Sequence, residues 1–133
     1  MRSAPQPEVA RCPGLLLVED DPDVQEALGD ILADAGWDVA CAFDGAAALL
    51  HLRAAARLPC VILLDLMMPG MNGYQFRAAQ LEDPALARIP VILLTADVMI
   101  KEKAAALRVA ACLRKPVGVA ELCAAIHRHC RCE

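Results

Sequence analysis

Four short stretches hold the residues of this chain best suited to chemistry: Glu19-Asp20-Asp21, Asp65, Thr95-Ala96 and Arg114-Lys115-Pro116. Each directly follows an apolar run: Leu15–Val18, Cys60–Leu64, Val91–Leu94 and Ala111–Leu113 respectively. Alone, each has an ordinary explanation. Acids favour a helix N-terminus, Thr suits a strand, and a Lys at a strand end is usually solvated. Gathered on one edge they make a site. Crowded carboxylates raise one another's pKa unless a cation joins them, and their hard oxygens select Mg2+ over zinc or copper. Such an ion also pairs with phosphoryl oxygens, while Lys115 adds a second positive charge and Thr95 a hydroxyl donor. In that setting Asp65 is the candidate nucleophile, its carboxylate attacking phosphorus to give an acyl phosphate.

The elements that must gather these residues are legible in the same sequence. The first three runs, with weaker ones at Trp37–Ala42 and Ala111–Leu113, are short and lack polar alternation, as in strands covered on both faces. Helical segments lie between them. The first has Asp21 at its cap and Pro22 at the first helical position. Val24, Ala27, Leu28, Ile31, Leu32 and Ala35 follow at helical spacing, and Gly36 closes it. The others run from a cap at Asp44 to Arg57, from Asn72 to Asp83 before Pro84, from Met99 to Arg108, and from Val117 to His129. Strands alternating with helices in this way predict right-handed crossovers and a mostly parallel α/β sheet between two helix layers. In such sheets ligands bind beyond the carboxyl ends of the strands, where the winding reverses. Gly70 and Gly73 read as turn residues, and no Walker lysine follows the PGMNG stretch, so no nucleotide loop is expected.

Composition narrows the classes further. The chain has 133 residues, 58% hydrophobic and 3% aromatic, which predicts one domain with an aliphatic core. Its net charge is −4, and Lys101, Lys103 and Lys115 are its only lysines, which argues against direct contact with nucleic acid. No apolar run approaches the roughly 18 residues of a membrane span, and no secretory leader is visible at the start. The seven cysteines are odd in number and form no CxxC pair, so a reduced, cytoplasmic protein is expected. Residues 1–13 carry three prolines and read as a flexible tail, leaving residues 14–133 as the domain. Cys123, His127 and Cys130 share a helical stripe that could hold zinc. Equally, His and Arg suit the negative end of a last helix.

The motifs LLLVEDD at 15–21, LLDLMMPGMNG at 63–73, VILLTA at 91–96 and LRKP at 113–116 give the chain a specific likeness. Over about residues 14–131 it resembles the receiver (CheY-like) domain of two-component response regulators. The resemblance implies a doubly wound five-stranded parallel sheet of flavodoxin-like order 2-1-3-4-5, with helices on both faces. It implies phosphoryl transfer to Asp65 from a histidine kinase or phosphotransfer protein. It also implies Mg2+ held directly by Asp20 and Asp65, by Glu19 mainly through water, and by the Met67 backbone carbonyl. Thr95 would be the switch hydroxyl, Lys115 the amine that pairs with the acyl phosphate, and Lys115–Pro116 a cis peptide.

Two positions depart from that pattern. Cys112, three residues before Lys115, stands where receivers usually carry Tyr or Phe, so the ring that reports phosphorylation is missing. Arg108 stands where a Gly often ends the fourth helix, and a positive φ would strain it. The expected function is a phosphoacceptor signalling module, not an enzyme beyond its own phosphorylation and dephosphorylation. Its output would be a changed surface on the fourth helix, fifth strand and fifth helix that binds a downstream protein, with homodimerisation left open. The rival reading that Cys112 favours is an interaction module that works without phosphorylation. An Asp-nucleophile phosphatase is disfavoured, because such enzymes carry a second Asp two residues after the nucleophile and here that residue is Met67.

Overall fold

The computed structural model describes residues 14–68, 70–96 and 100–130; the N-terminal segment 1–13 lies outside them. In chain order the elements are β1 (Leu15–Val18), α1 (Pro22–Asp34), β2 (Val39–Ala42), α2 (Gly45–Ala54) and β3 (Val61–Asp65). They continue with α3 (Gly73–Glu82), β4 (Val91–Thr95), α4 (Ile100–Leu107), β5 (Ala111–Arg114) and α5 (Val119–His129). All strand pairs are parallel, in the order β2-β1-β3-β4-β5. The chain therefore winds outward from β1 to β2, then turns back through β3 to β5. The reversal falls between β1 and β3, where their carboxyl ends diverge to opposite crossovers.

The period-two alternation of side chains divides the apolar strands between two cores. Leu16, Val18, Ile62, Leu64 and Leu93 face a cluster completed by Leu49 and Leu52 of α2, Phe76 of α3 and Leu107 of α4. Leu15, Leu17, Leu63, Ile92 and Leu113 face the other, closed by Leu32 of α1 and Leu122, Ala125 and Ile126 of α5. Both faces being covered explains why no strand shows polar alternation.

The helices begin where the sequence provides caps. The Asp21 carboxylate accepts from the Asp23 and Val24 amides at 2.9 and 3.3 Å, with Pro22 at the first helical position. Asp44 accepts from Ala47 N–H at 2.8 Å. Asn72 and Gln75 form a reciprocal capping box at 3.0 and 2.9 Å. After α1 the chain turns at Gly36, whose φ of +103° is a region L side chains rarely adopt. Observed ends differ from the expected ones by up to three residues, chiefly where α2 stops at Ala54 and β2 starts at Val39. Asp65, Thr95 and Arg114 are the last residues of their strands rather than the first beyond them.

Candidate functional site

The winding reversal collects the predicted residues. Glu19 and Asp20 leave β1, Asp65 ends β3, Thr95 ends β4, and Lys115 follows β5. Ligand oxygens of Glu19, Asp20 and Asp65 all lie within 4.8 Å of one another, the only cluster of this kind among the described residues. Lys115 Nζ stands 2.9 Å from Glu19 Oε1 and 3.6 Å from Asp65 Oδ2. Thr95 is buried on the adjacent strand, and its carbonyl accepts the Lys115 amide at 2.8 Å, which fixes the backbone from which the lysine reaches back. The Lys115–Pro116 peptide is cis. Met67 donates its amide to Asp65 Oδ1 at 3.2 Å, while its side chain is exposed.

Burial and charge set the protonation of this group. Asp65 is 6% exposed. Desolvation is the main reason its pKa rises from 3.8 to about 6, and the neighbouring Glu19 charge adds to the rise. Lys115 and the Met67 amide pull the other way without cancelling it. For Lys115 burial favours the neutral amine, but the Glu19 hydrogen bond and the charges of Asp65 and Glu19 together hold its pKa above the ordinary lysine value. The result is a carboxylate short of positive charge beside an ammonium that stays charged. The donor set, all carboxylate oxygens with Glu19 and Asp65 buried, fits a small hard divalent cation such as Mg2+.

Two positioning residues escaped the sequence reading. Gln25 is buried, and its amide donates to the carbonyls of Glu19 at 3.2 Å and Ala42 at 3.1 Å, tying the acidic turn to the end of β2. Arg77 is also buried and donates to the carbonyls of Leu107 and Arg108 at 3.0 and 2.7 Å, and to Gln80 Oε1 at 2.7 Å. It holds the end of α4 where Arg108 adopts a φ of +55°, the strained position expected from the missing glycine. The available signal was helical spacing. Gln25 shares a stripe with Leu28 and Leu32, and Arg77 and Gln80 share one with Gly73 and Phe76. Gly73 itself is required by close approach, since a Cβ there would stand 2.7 Å from Leu66 Cα and 2.8 Å from the Asp65 carbonyl oxygen.

The cysteine–histidine stripe of α5 does not converge on a metal site among the described residues. His127 packs against Trp37 with ring centroids 5.0 Å apart and the planes tilted by 50°, and Cys130 Sγ turns to Cys60 Sγ at 2.9 Å. Cys112 is half-buried against the core beneath α4. Beside Lys115, an apolar cavity of about 490 Å³ opens between α1 and the β5–α5 connection, lined by Val24, Leu28, Leu94 and Pro116 among others.

Fold and site together define a doubly wound parallel α/β domain with an acidic, lysine-flanked centre at its topological switch point. The chain belongs to the response regulator receiver domain family, whose model matches residues 15–127. It is 39% identical over 82 residues to the DNA-binding response regulator MtrA of Mycolicibacterium smegmatis, covering 62% of this chain and 34% of that protein. The chain thus spans about a third of that curated relative. Among solved structures, it superposes on the signal receiver domain of a histidine kinase from Syntrophus aciditrophicus with a TM-score of 0.80 and 30% identity, covering 90% and 95% of the two chains. The chemotaxis protein CheY4 of Vibrio cholerae gives a TM-score of 0.78 at 28% identity, covering 86% and 96%. Among the described residues no helix is long and apolar enough to cross a membrane.

Proposed function

We propose that this receiver domain is a phosphoacceptor switch that takes a phosphoryl group onto Asp65 from a phosphohistidine of a histidine kinase or phosphotransfer protein. The observation that carries the reading is Lys115 Nζ lying within 3.6 Å of Asp65 and 2.9 Å of Glu19 in a buried acidic cluster at the switch point. An Asp65 carboxylate oxygen attacks phosphorus in line, the P–N bond breaks, and the imidazole leaves with its electron pair. With a pKa of about 6, Asp65 is mostly ionised at neutral pH and able to attack. Lys115 pairs with the phosphoryl oxygens as its contact to Asp65 is replaced, and the Thr95 hydroxyl donates to another of them. Glu19, Asp20, Asp65 and the Met67 carbonyl would hold Mg2+, which supplies neutralising charge to the phosphoryl group. Hydrolysis of the acyl phosphate at the same site resets the switch, and no other reaction is assigned to the domain.

The donor protein approaches over the apolar cavity beside Lys115, and the modified state is read by a downstream protein on the α4–β5–α5 face. MtrA is named as DNA-binding, but this chain spans 34% of it, and a net charge of −4 gives the domain no basis for direct nucleic-acid contact. A cytoplasmic location accords with kinase-coupled signalling. The test is incubation with Mg2+ and a small acyl phosphate donor, followed by intact-mass measurement. Wild type gains one phosphoryl group and Asp65→Asn gains none; equal labelling of the variant would refute the assignment. Cys112 favours a second reading, an interaction module independent of phosphorylation, which requires wild type itself to stay unlabelled.

A further inference from the structure

The end of the sheet opposite Asp65 holds a second chemical feature that phosphoryl transfer does not use. Cys60 immediately precedes β3, about 16 Å along the strand from Asp65 at a rise of about 3.3 Å per residue. Cys130 caps the C-terminal end of α5. The Cys130 thiol donates to Cys60 Sγ at 2.9 Å, and the Cys60 thiol donates to the Gly14 carbonyl at 3.2 Å. Both ends are anchored by backbone. The Cys60 amide donates to the Gly14 carbonyl at 2.8 Å and the Cys130 amide to the Ile126 carbonyl at 2.8 Å. A disulfide bond needs sulfurs about 2.05 Å apart, so the two sulfurs have less than about 1 Å left to close. Cys60 also lines an open surface cavity of about 310 Å³ with Pro59, Ala85, Arg88 and Pro90, a route by which a small oxidant reaches it.

We propose that Cys60 and Cys130 form a redox-active dithiol that closes to an intramolecular disulfide, pinning the C-terminal end of α5 to the start of β3. The oxidant class is a small-molecule disulfide such as oxidised glutathione. The Cys60 thiolate attacks one glutathione sulfur, forming a mixed disulfide and releasing one glutathione thiolate. Cys130, as thiolate, then attacks the Cys60 sulfur, forming the Cys60–Cys130 bond and releasing the second glutathione. The two thiol protons pass to the two departing thiolates; the protein loses two electrons and the glutathione disulfide gains them. Burial raises the pKa of Cys41 and of Cys112, which lowers their thiolate fraction. The bond would join positions 70 residues apart, a span over which cross-linking constrains the unfolded chain strongly. The inference does not depend on phosphoryl transfer at Asp65.

The experiment uses the full chain, fully reduced and then equilibrated in glutathione buffers of increasing oxidised fraction, alkylated, and read by intact mass and peptide mapping. Expected is a protein that takes up five alkyl groups where the fully reduced chain takes up seven, a single linked peptide pair containing Cys60 and Cys130, and a rise in Tm on the order of 10 °C. Cys60→Ser and Cys130→Ser should each lose the linked peptide and the Tm rise, so the result does not rest on one variant folding. Three outcomes overturn the proposal: Cys60 and Cys130 both alkylated after other thiols have oxidised, a linkage of either to Cys12 or Cys132, or a mapped Cys60–Cys130 bond with no rise in Tm.

Discussion

Replacing Asp65 by Asn in the metal-free protein tests whether the acidic centre is destabilising in the way its geometry implies. Asp65 is buried, and its pKa rises from 3.8 to about 6. A group with a raised folded-state pKa contributes its full stability below the unfolded value and loses it as pH climbs through the folded one. At about 1.36 kcal/mol per pH unit, the ceiling on this loss is about 3 kcal/mol at pH 7.5. Asn removes the charge and keeps the Oδ1 acceptor for Met67 N–H, but it presents an amide donor toward Lys115 where a carboxylate stood 3.6 Å away. Part of the gain is therefore returned, leaving the variant about 1–2 kcal/mol more stable than wild type. Urea unfolding in EDTA at pH 7.5 and pH 5.0 measures it. The gap should shrink by about 1.4 kcal/mol from pH 7.5 to pH 5.0, where the cost to wild type has fallen to about half its ceiling because Asp65 is protonated in the folded state but still ionised in the unfolded chain. A variant less stable than wild type at pH 7.5, or a gap unchanged between the two pH values, would refute the reasoning.

Excess Mg2+ should stabilise wild type by about 1 to 2.7 kcal/mol, depending on how far its concentration exceeds Kd, and Asp65→Asn by clearly less. Equal thermal shifts in the two proteins would remove Asp65 from the ligand set. On phosphorylation, amide signals near Asp65 and Thr95 should move strongly and those near Cys112 weakly, while Cys112→Tyr should extend the response into β5; NMR of both proteins decides this. Arg77→Leu strips donors from the carbonyls of Leu107 and Arg108 and from Gln80 Oε1, and should lower stability by about 2–4 kcal/mol in chemical denaturation.

Local rules were enough for the elements themselves. Asp21 and Pro22 at the start of α1, Asn72 and Gln75 at the start of α3, and aliphatic runs without polar alternation each act through neighbours in sequence, so they could be read there. The strand-end chemistry of Glu19, Asp20, Asp65, Thr95 and Lys115 was legible for a related reason. A parallel sheet sends all its carboxyl ends to one edge, so residues that follow the strands must share that edge.

What only the tertiary structure decided depends on distance between elements remote in sequence. No local pattern says that Lys115 sits closer to Glu19 than to Asp65, because that follows from how the β5 end packs beside β1 and β3. Gln25 and Arg77 occupy ordinary polar positions on amphipathic helices in the sequence. They become buried because the carbonyls of Glu19, Ala42, Leu107 and Arg108 come within reach once the helices pack on the sheet. Cys60 and Cys130 read as two separate small hydrophobes. Their sulfurs meet across 70 residues of chain because α5 lies along the same sheet face that covers the start of β3. Sequence order determines which end of the sheet a residue reaches; side-chain packing between elements determines which atoms touch there.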